Sequence, residues 1–394
     1  MRGEGAPRLP VFETADEVRG SARGGAGVDA VGEEETGSAR RVGSVVGLCA
    51  ASRLSLTLLM RGPLAGPAAA RPRRPPPARR RAAAAACRAA ASRSLFVLGL
   101  GYAGVAIAEM AAESGWAVAG SARREGVARL WSGGAVAVHL LDARGALDAA
   151  GAAALVGADH VIVTVPPGGG GEGDPGLATL RAAVASAAAV PRPPRSIAYL
   201  SSTSVYGQDA SNDAWIEETT PPAPTTAAGA ARLAAEAGWA AAAAALPAPL
   251  ALVRAGAIYG PGRCALDAVR RGDVGRRPAR GRGGPRAHVA DVAAIALAAA
   301  TSTQPGPIAV YHAVDACPAP RGDVLAEAAR LLGVTALLRA ATDSSASSCR
   351  RISSSSTLVR LGLTLRHASY REGLAALASD DVAPFGRWGG APEL

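Results

Sequence analysis

Four apolar residues in a row, Leu95, Phe96, Val97 and Leu98, lead into a turn that places Gly99, Gly101 and Gly104 in G-x-G-x-x-G spacing, and a helical pattern opens at Tyr102. An uninterrupted apolar run of that length suits a parallel strand covered on both faces. Each glycine has its own role at that spacing, since Gly99 permits the tight turn, Gly101 lets backbone approach a ligand, and Gly104 lets the helix pack on the sheet. Amides near Leu100, Gly101, Tyr102 and Ala103, at the open N-terminus of the helix, then face an anion. In a chain with 48 Gly the motif alone would carry little, so its position between strand and helix is what makes it a diphosphate-binding turn.

Short apolar runs recur at residues 116–119, 136–140, 161–165, 197–200 and 250–254, separated by Ala-rich helical stretches such as 102–114 and 228–245, the latter stopped by Pro247. Strands alternating with helices predict an α/β fold with a doubly wound, Rossmann-type parallel sheet. After Gly260 the pattern loosens into a Gly- and Arg-rich loop at 270–286, followed by a helix over 289–300. The expected organisation is therefore a dinucleotide-binding domain over 94–260, a smaller C-terminal substrate lobe over 261–378, and a tail over 379–394.

The formal charge of +10 invites a nucleic-acid reading, but its distribution argues against one. Residues 1–94 carry 16 Arg against eight acids, whereas the remaining 300 carry 26 against 24. Residues 60–94 contain no acid and alternate Arg with Ala, Pro and Ser, the composition of an organellar transit peptide. Acids do occur before Met60, which makes Met60 a candidate start and residues 1–93 a disordered leader. A basic tail that binds nucleic acid is the alternative. The Ser-, Ala- and Pro-rich leader favours the plastid stroma, with the mitochondrial matrix second. No uncharged apolar stretch of about 18 residues predicts a membrane span. The five Cys form no C-x-x-C pair and the five His show no metal-ligand spacing, so a reducing compartment and no structural metal are expected.

Cofactor choice turns on the end of the second strand. About 20 residues past the glycine turn, an NAD site presents an acid to the ribose 2'-hydroxyl. Here the chain reads Gly120, Ser121, Ala122, Arg123, Arg124, with no acid until Glu125. Two guanidinium groups suit a 2'-phosphate, which points to NADP ahead of NAD. The alternative is that Arg123 and Arg124 only start a solvated helix. Asp142, after the third strand, is either an acceptor for the adenine edge or a plain loop residue.

Further blocks complete a pattern: VIVTVPP at 161–167, which contains Thr164, YLSSTSVYG at 199–207, ETTPPAPTT to RLAAE over 218–236, IYGPGR at 258–263 and RAHVADVA at 286–293. With the glycine turn, they make residues 95–377 resemble the extended short-chain dehydrogenase/reductases of the NAD-dependent epimerase/dehydratase type. The narrower likeness is to the atypical branch with GLGYAG-like turns. The resemblance implies hydride transfer at a nicotinamide matched by proton transfer through a Tyr, whose pKa the Lys of Tyr-x-x-x-Lys lowers, and a Ser or Thr that orients substrate. The Ser or Thr falls on Ser202, with Thr203 beside it. The Tyr position holds Ala228 and the Lys position Arg232. Arg232 can bind ribose but cannot act as a base. Loss of a positioned acid/base costs on the order of 100- to 10,000-fold in rate.

Tyr206, Tyr259 and His288 are the groups that could take over the proton, or else pocket-lining aromatics and a satisfied histidine. The Arg-rich loop at 270–286 either borders a cleft for an anionic substrate such as a nucleotide sugar or is simply solvated. Two classes of function follow: an NADP-dependent oxidoreductase or epimerase on a small hydroxylated substrate, and a catalytically silent NADP-binding sensor or scaffold.

Overall fold

The computed structural model describes residues 93–124, 136–168, 173–187, 192–207, 214–272, 284–303, 306–334, 349–381 and 385. All belong to one compact unit that begins at Arg74. The expected leader with its Met60 start, most of the tail, and most of the Arg-rich loop lie outside the described residues. Among the described residues, no helix is long and apolar enough to cross a membrane.

Seven strands form one parallel sheet: β1 (Ser94–Leu98), β2 (Ala117–Ala122), β3 (Val136–Leu140), β4 (His160–Val163), β5 (Ser196–Ser202), β6 (Leu250–Ala255) and β9 (Ile308–Ala313). Their spatial order is β3-β2-β1-β4-β5-β6-β9, so the chain winds outward in one direction from β1 and then outward in the other from β4. A separate parallel pair joins β7 (Ala257–Tyr259) to β8 (Arg286–His288).

The apolar run that opens the fold explains its layering. Leu95 and Val97 point to one side of the sheet, against helices α1 (Tyr102–Glu113) and α6 (Val289–Thr301). Phe96 and Leu98 point to the other, against α2 (Ala149–Gly157), α3 (Pro175–Ser186) and α4 (Ala227–Ala245). Alternate residues of a strand face opposite ways, so burial on both faces demands an apolar residue at every step. The helices are stopped and started as local chemistry requires. Asp148, Asp174 and Thr226 cap α2, α3 and α4 through side-chain oxygens, and Pro175 occupies the first turn of α3, where its missing N–H costs nothing.

The boundary expected after residue 260 needs correction. β9 pairs with β6 from Leu250 opposite Ile308 to Ala255 opposite Ala313, and α6 covers the same face as α1. Without them the fully buried β6 would be an open edge. What stands off the sheet is a smaller cluster of α5 (Ala265–Arg270), α7 (Arg321–Leu331) and α9 (Tyr370–Ala378), packed around Leu266, Val269, Tyr370 and Leu374. Helix α8 (Ser355–Leu361) instead lies against α6 and β9.

Candidate active site

The first crossover reversal, where β1 lies between β2 and β4, opens a crevice at the carboxyl ends of the strands. The glycine turn lines it. Gly99 has φ +103°, and a Cβ there would come 2.7 Å from Val165 Cγ2. A Cβ on Gly104 would collide with the carbonyl oxygen of Gly99, so helix α1 is pressed directly onto the turn. Gly101 is the opposite case: it is exposed and no atom lies within 4 Å of where its Cβ would be. It also begins α1 without any side-chain cap. Open space in front of an uncapped helix N-terminus fits the diphosphate of a dinucleotide.

The neighbours of the turn hold it in shape. Ser121 is fully buried and its Oγ accepts from the Gly99 amide at 3.0 Å, while Thr164 Oγ1 donates to the Gly99 carbonyl at 2.5 Å. The Leu100 amide is likewise taken, donating to the Ser121 carbonyl at 2.7 Å, and its side chain is buried. The expectation that the Leu100 amide is free for an anion is thus corrected. Tyr102 anchors the helix to a distant loop, its hydroxyl donating to Pro261 O at 2.9 Å, and burial pushes that hydroxyl's pKa well up. Ala103 sits half-buried in the first turn.

Arg123 and Arg124 directly follow β2, and both are exposed. Asp142 is exposed too, but its Oδ1 accepts from the Arg144 and Ala146 amides at 2.8 Å each, so it shapes its own loop.

Farther along the same sheet edge, β5 ends at Ser202, whose Oγ accepts from the Ser204 amide at 3.1 Å and starts a short 3-10 turn, Thr203–Tyr206. That turn packs on the start of α4, for a Cβ on Gly229 would lie 2.6 Å from the Ser204 carbonyl. Ala228, the neighbouring residue, is exposed. Arg232, one turn on, donates to Tyr199 Oη at 2.9 Å and to the Leu200 carbonyl at 3.2 Å. Thr203 is buried, and its Oγ1 accepts from Arg350 at 3.2 Å.

Beneath this turn runs a buried polar chain that the sequence reading missed. Glu236 on α4 accepts from Ser201 Oγ at 2.5 Å and from Arg254 Nε and Nη2 at 3.0 and 2.7 Å. Arg254 Nη1 donates to Tyr206 Oη at 2.6 Å, and Tyr206 in turn donates to His312 Nε2 at 2.6 Å, because His312 Nδ1 gives its proton to the Ser353 carbonyl. Burial alone would lower the Arg254 pKa, but Glu236 raises it; burial also raises the Tyr206 hydroxyl. Tyr206 is therefore a strut of this chain. The sequence signal was a charged residue, Arg254, inside the otherwise apolar strand LALVRA.

Half-buried Tyr259 joins buried His288, Asp291 and His367 in a second group. Tyr259 and His288 meet edge to face at 5.3 Å, and the Tyr259 hydroxyl and His288 Nε2 have no hydrogen-bond partner among the described residues. Burial, followed by the nearby His367, holds the His288 pKa down to about 4. Ligand atoms of His288, Asp291 and His367 lie within 4.8 Å of one another, a spacing compatible with a metal ion. His288 Nδ1, however, accepts from the Ala290 amide at 3.2 Å, which leaves the proton on Nε2 and makes that atom a donor. Asp291 accepts from the Arg366 and His367 amides at 2.6 and 3.2 Å. These bonds describe a fastening between α6 and the segment before α9.

The profile of the NAD dependent epimerase/dehydratase family matches residues 95–307. No curated protein matches. Among solved structures, a functionally unknown conserved protein from Silicibacter pomeroyi DSS is 31% identical with a TM-score of 0.56, over 73% of this chain and 99% of that one. MoeE5 in complex with UDP-glucose and NAD is 20% identical with a TM-score of 0.55, over 73% and 97%. UDP-glucuronic acid 4-epimerase from Bacillus cereus in complex with NAD is 16% identical with a TM-score of 0.55, over 72% and 97%. The last two likenesses speak for the fold.

Proposed function

Because this chain belongs to the NAD dependent epimerase/dehydratase family, we propose that it binds a nicotinamide dinucleotide, NADP(H) ahead of NAD(H), and acts as an oxidoreductase or epimerase on a small hydroxylated or nucleotide-sugar-like substrate. One observation carries the reading: open space before the uncapped helix at Gly101 and the Ser202 hydroxyl occur along the same sheet edge. Arg123 and Arg124 are the groups that would select a 2'-phosphate. Delivery to the plastid stroma, with the mitochondrial matrix second, rests on the composition of residues 60–94.

A bound nicotinamide supplies hydride acceptance or donation. Ser202 accepts from the Ser204 amide, so its own proton is free to be donated to a substrate oxygen, which orients the reacting carbon. Arg232 keeps a fixed positive charge at the end of β5 while holding Tyr199 and the Leu200 carbonyl. The exposed Ala228 leaves the usual acid/base position open to solvent, and water exchanges the matching proton there. Turnover is then on the order of 100- to 10,000-fold below that of a relative with Tyr at this place. Ala228→Tyr should raise turnover; an Ala228→Tyr protein that binds cofactor and stays as slow as the parent would refute this route.

The first test is thermal stabilisation by NADPH and NADH in parallel. A ligand at 100 times its Kd adds about 2.7 kcal/mol. Stabilisation by neither would end the proposal. The second reading, a silent NADP-binding sensor or scaffold, is favoured by the absent Tyr together with an Arg232 occupied by Tyr199 and Leu200. NADPH oxidation with any hydroxylated or carbonyl substrate excludes it.

A further inference from the structure

Arg263 ends a tight turn that leans on the glycine turn itself. Gly260 and Arg263 exchange backbone hydrogen bonds at 3.2 and 3.0 Å, and Gly262 takes the positive φ of +69° that lets the turn close. A Cβ on Gly260 would lie 2.7 Å from the Tyr102 hydroxyl, which itself donates to Pro261 O, so this turn is pressed against the first residue of α1. Fully buried Phe385 packs on the same Tyr102 ring at 5.3 Å and helps to fix it. Arg263 is exposed, and its Cζ stands 5.5 Å from the centre of that ring. Its charge is felt at the Tyr102 hydroxyl, where it opposes the rise that burial causes. No carboxylate of the described residues forms an ion pair with it. Asp267, four residues on, is taken up elsewhere: its carboxylate accepts from the Cys264 amide at 2.9 Å and lies 3.6 Å from Arg270. The first turn of α1 holds no acid either.

A guanidinium kept beside the ring of a residue whose own amide heads an uncapped helix stands where a bound anion needs countercharge. The helix end supplies only about half a positive charge, whereas the diphosphate of a dinucleotide is doubly negative. A planar cation that swings off the ring and donates two parallel N–H groups completes the match. We propose that Arg263 closes on the diphosphate of the bound nicotinamide dinucleotide, with the Tyr102 ring as the platform beside it. This deepens the cofactor reading above and rests on it. It also gives the arginines separate tasks. In that reading Arg123 and Arg124 tell NADP from NAD by the 2'-phosphate, whereas Arg263 raises the affinity for both, because both carry the same diphosphate.

The test is a fluorescence titration of the full-length protein with NADH and with NADPH. Arg263→Gln should weaken both by the same factor, about tenfold, while the thermal midpoint without nucleotide stays within about 1 °C of the parent, since the side chain is exposed. Affinities within twofold of the parent overturn the assignment. A loss confined to NADPH overturns it too, for that would place Arg263 at the 2'-phosphate. A parent protein that binds neither dinucleotide overturns the cofactor reading and this assignment with it, whereas a parent that binds them beside an unaffected variant overturns this assignment alone. Should Arg263→Gln not fold, modification of Arg263 by phenylglyoxal in the unaltered protein, followed by peptide mass spectrometry, decides. Saturating NADH should slow it at least threefold, and an unchanged rate overturns the proposal.

Discussion

Replacing Glu236 by Gln is the sharpest test of how the substrate end of the crevice is built. Both partners of the Glu236–Arg254 pair are nearly dry, with side-chain exposures of 4% and 5% and a closest approach of 2.7 Å. Gln keeps the shape but removes the charge, and its amide hydrogens face a donor where the second carboxylate oxygen accepted. Of two charge-assisted hydrogen bonds, each worth about 1.5–3 kcal/mol, one is lost and the other loses its anion, so Arg254 keeps only neutral acceptors, the Gln oxygen and the Tyr206 hydroxyl. Breaking a buried pair from one side costs about 3–5 kcal/mol, and that is the expected loss in urea unfolding read by linear extrapolation. Removing both charges together, as in Glu236→Leu with Arg254→Met, should cost less than the single change, since no uncompensated ion remains. A single-variant loss below about 1 kcal/mol, with the slope of the transition unchanged, would refute the view of Arg254 as a cation dependent on Glu236.

Gly101→Val should leave stability within about 0.5 kcal/mol, because no atom stands near its Cβ, yet weaken NADPH about 100-fold in a fluorescence titration. Gly104→Ala should instead destabilise by about 1–3 kcal/mol through contact with the Gly99 carbonyl; equal effects of the two changes on stability would contradict the assignment. Changing Arg123 and Arg124 to Ser should lower NADPH affinity about tenfold and leave NADH within twofold, and parallel losses would remove the 2'-phosphate role. Asp315 ionises near 7 when folded, because burial outweighs Arg286, and near ~3.9 when unfolded. Between those values the folded state holds a proton that the unfolded chain has released, so this group's stabilisation is complete below ~4 and is lost as pH rises through 7. Asp315→Asn should therefore gain on the parent by about 2.5 kcal/mol between pH 5 and pH 8, read from urea midpoints, since His288 titrates alike in both proteins. A constant gap across that range would show that Asp315 ionises normally.

Which stretches became strands, and where the diphosphate turn lies, could be read from the chain alone. Apolar runs such as Phe96 to Leu98 select a doubly covered strand, while the positive φ of Gly99 and the press of Gly104 on the Gly99 carbonyl are demands that arise within ten residues. Ser202 was named through the family resemblance, and the structure puts it at the end of β5. Local backbone preference and side-chain periodicity act over such distances, so composition and spacing suffice to express them. Partnership is another matter. Arg350 meets Thr203 across 147 positions and Tyr206 meets His312 across 106, and the spent amide of Leu100 depends on the alignment of β2 with β1. Return of β9 to the sheet, against a boundary drawn after residue 260, belongs with these. Each is set by strand register and by which helix covers which face, and a buried charge such as Arg254 announces only that it needs a partner. Who supplies that partner is settled when distant segments pack.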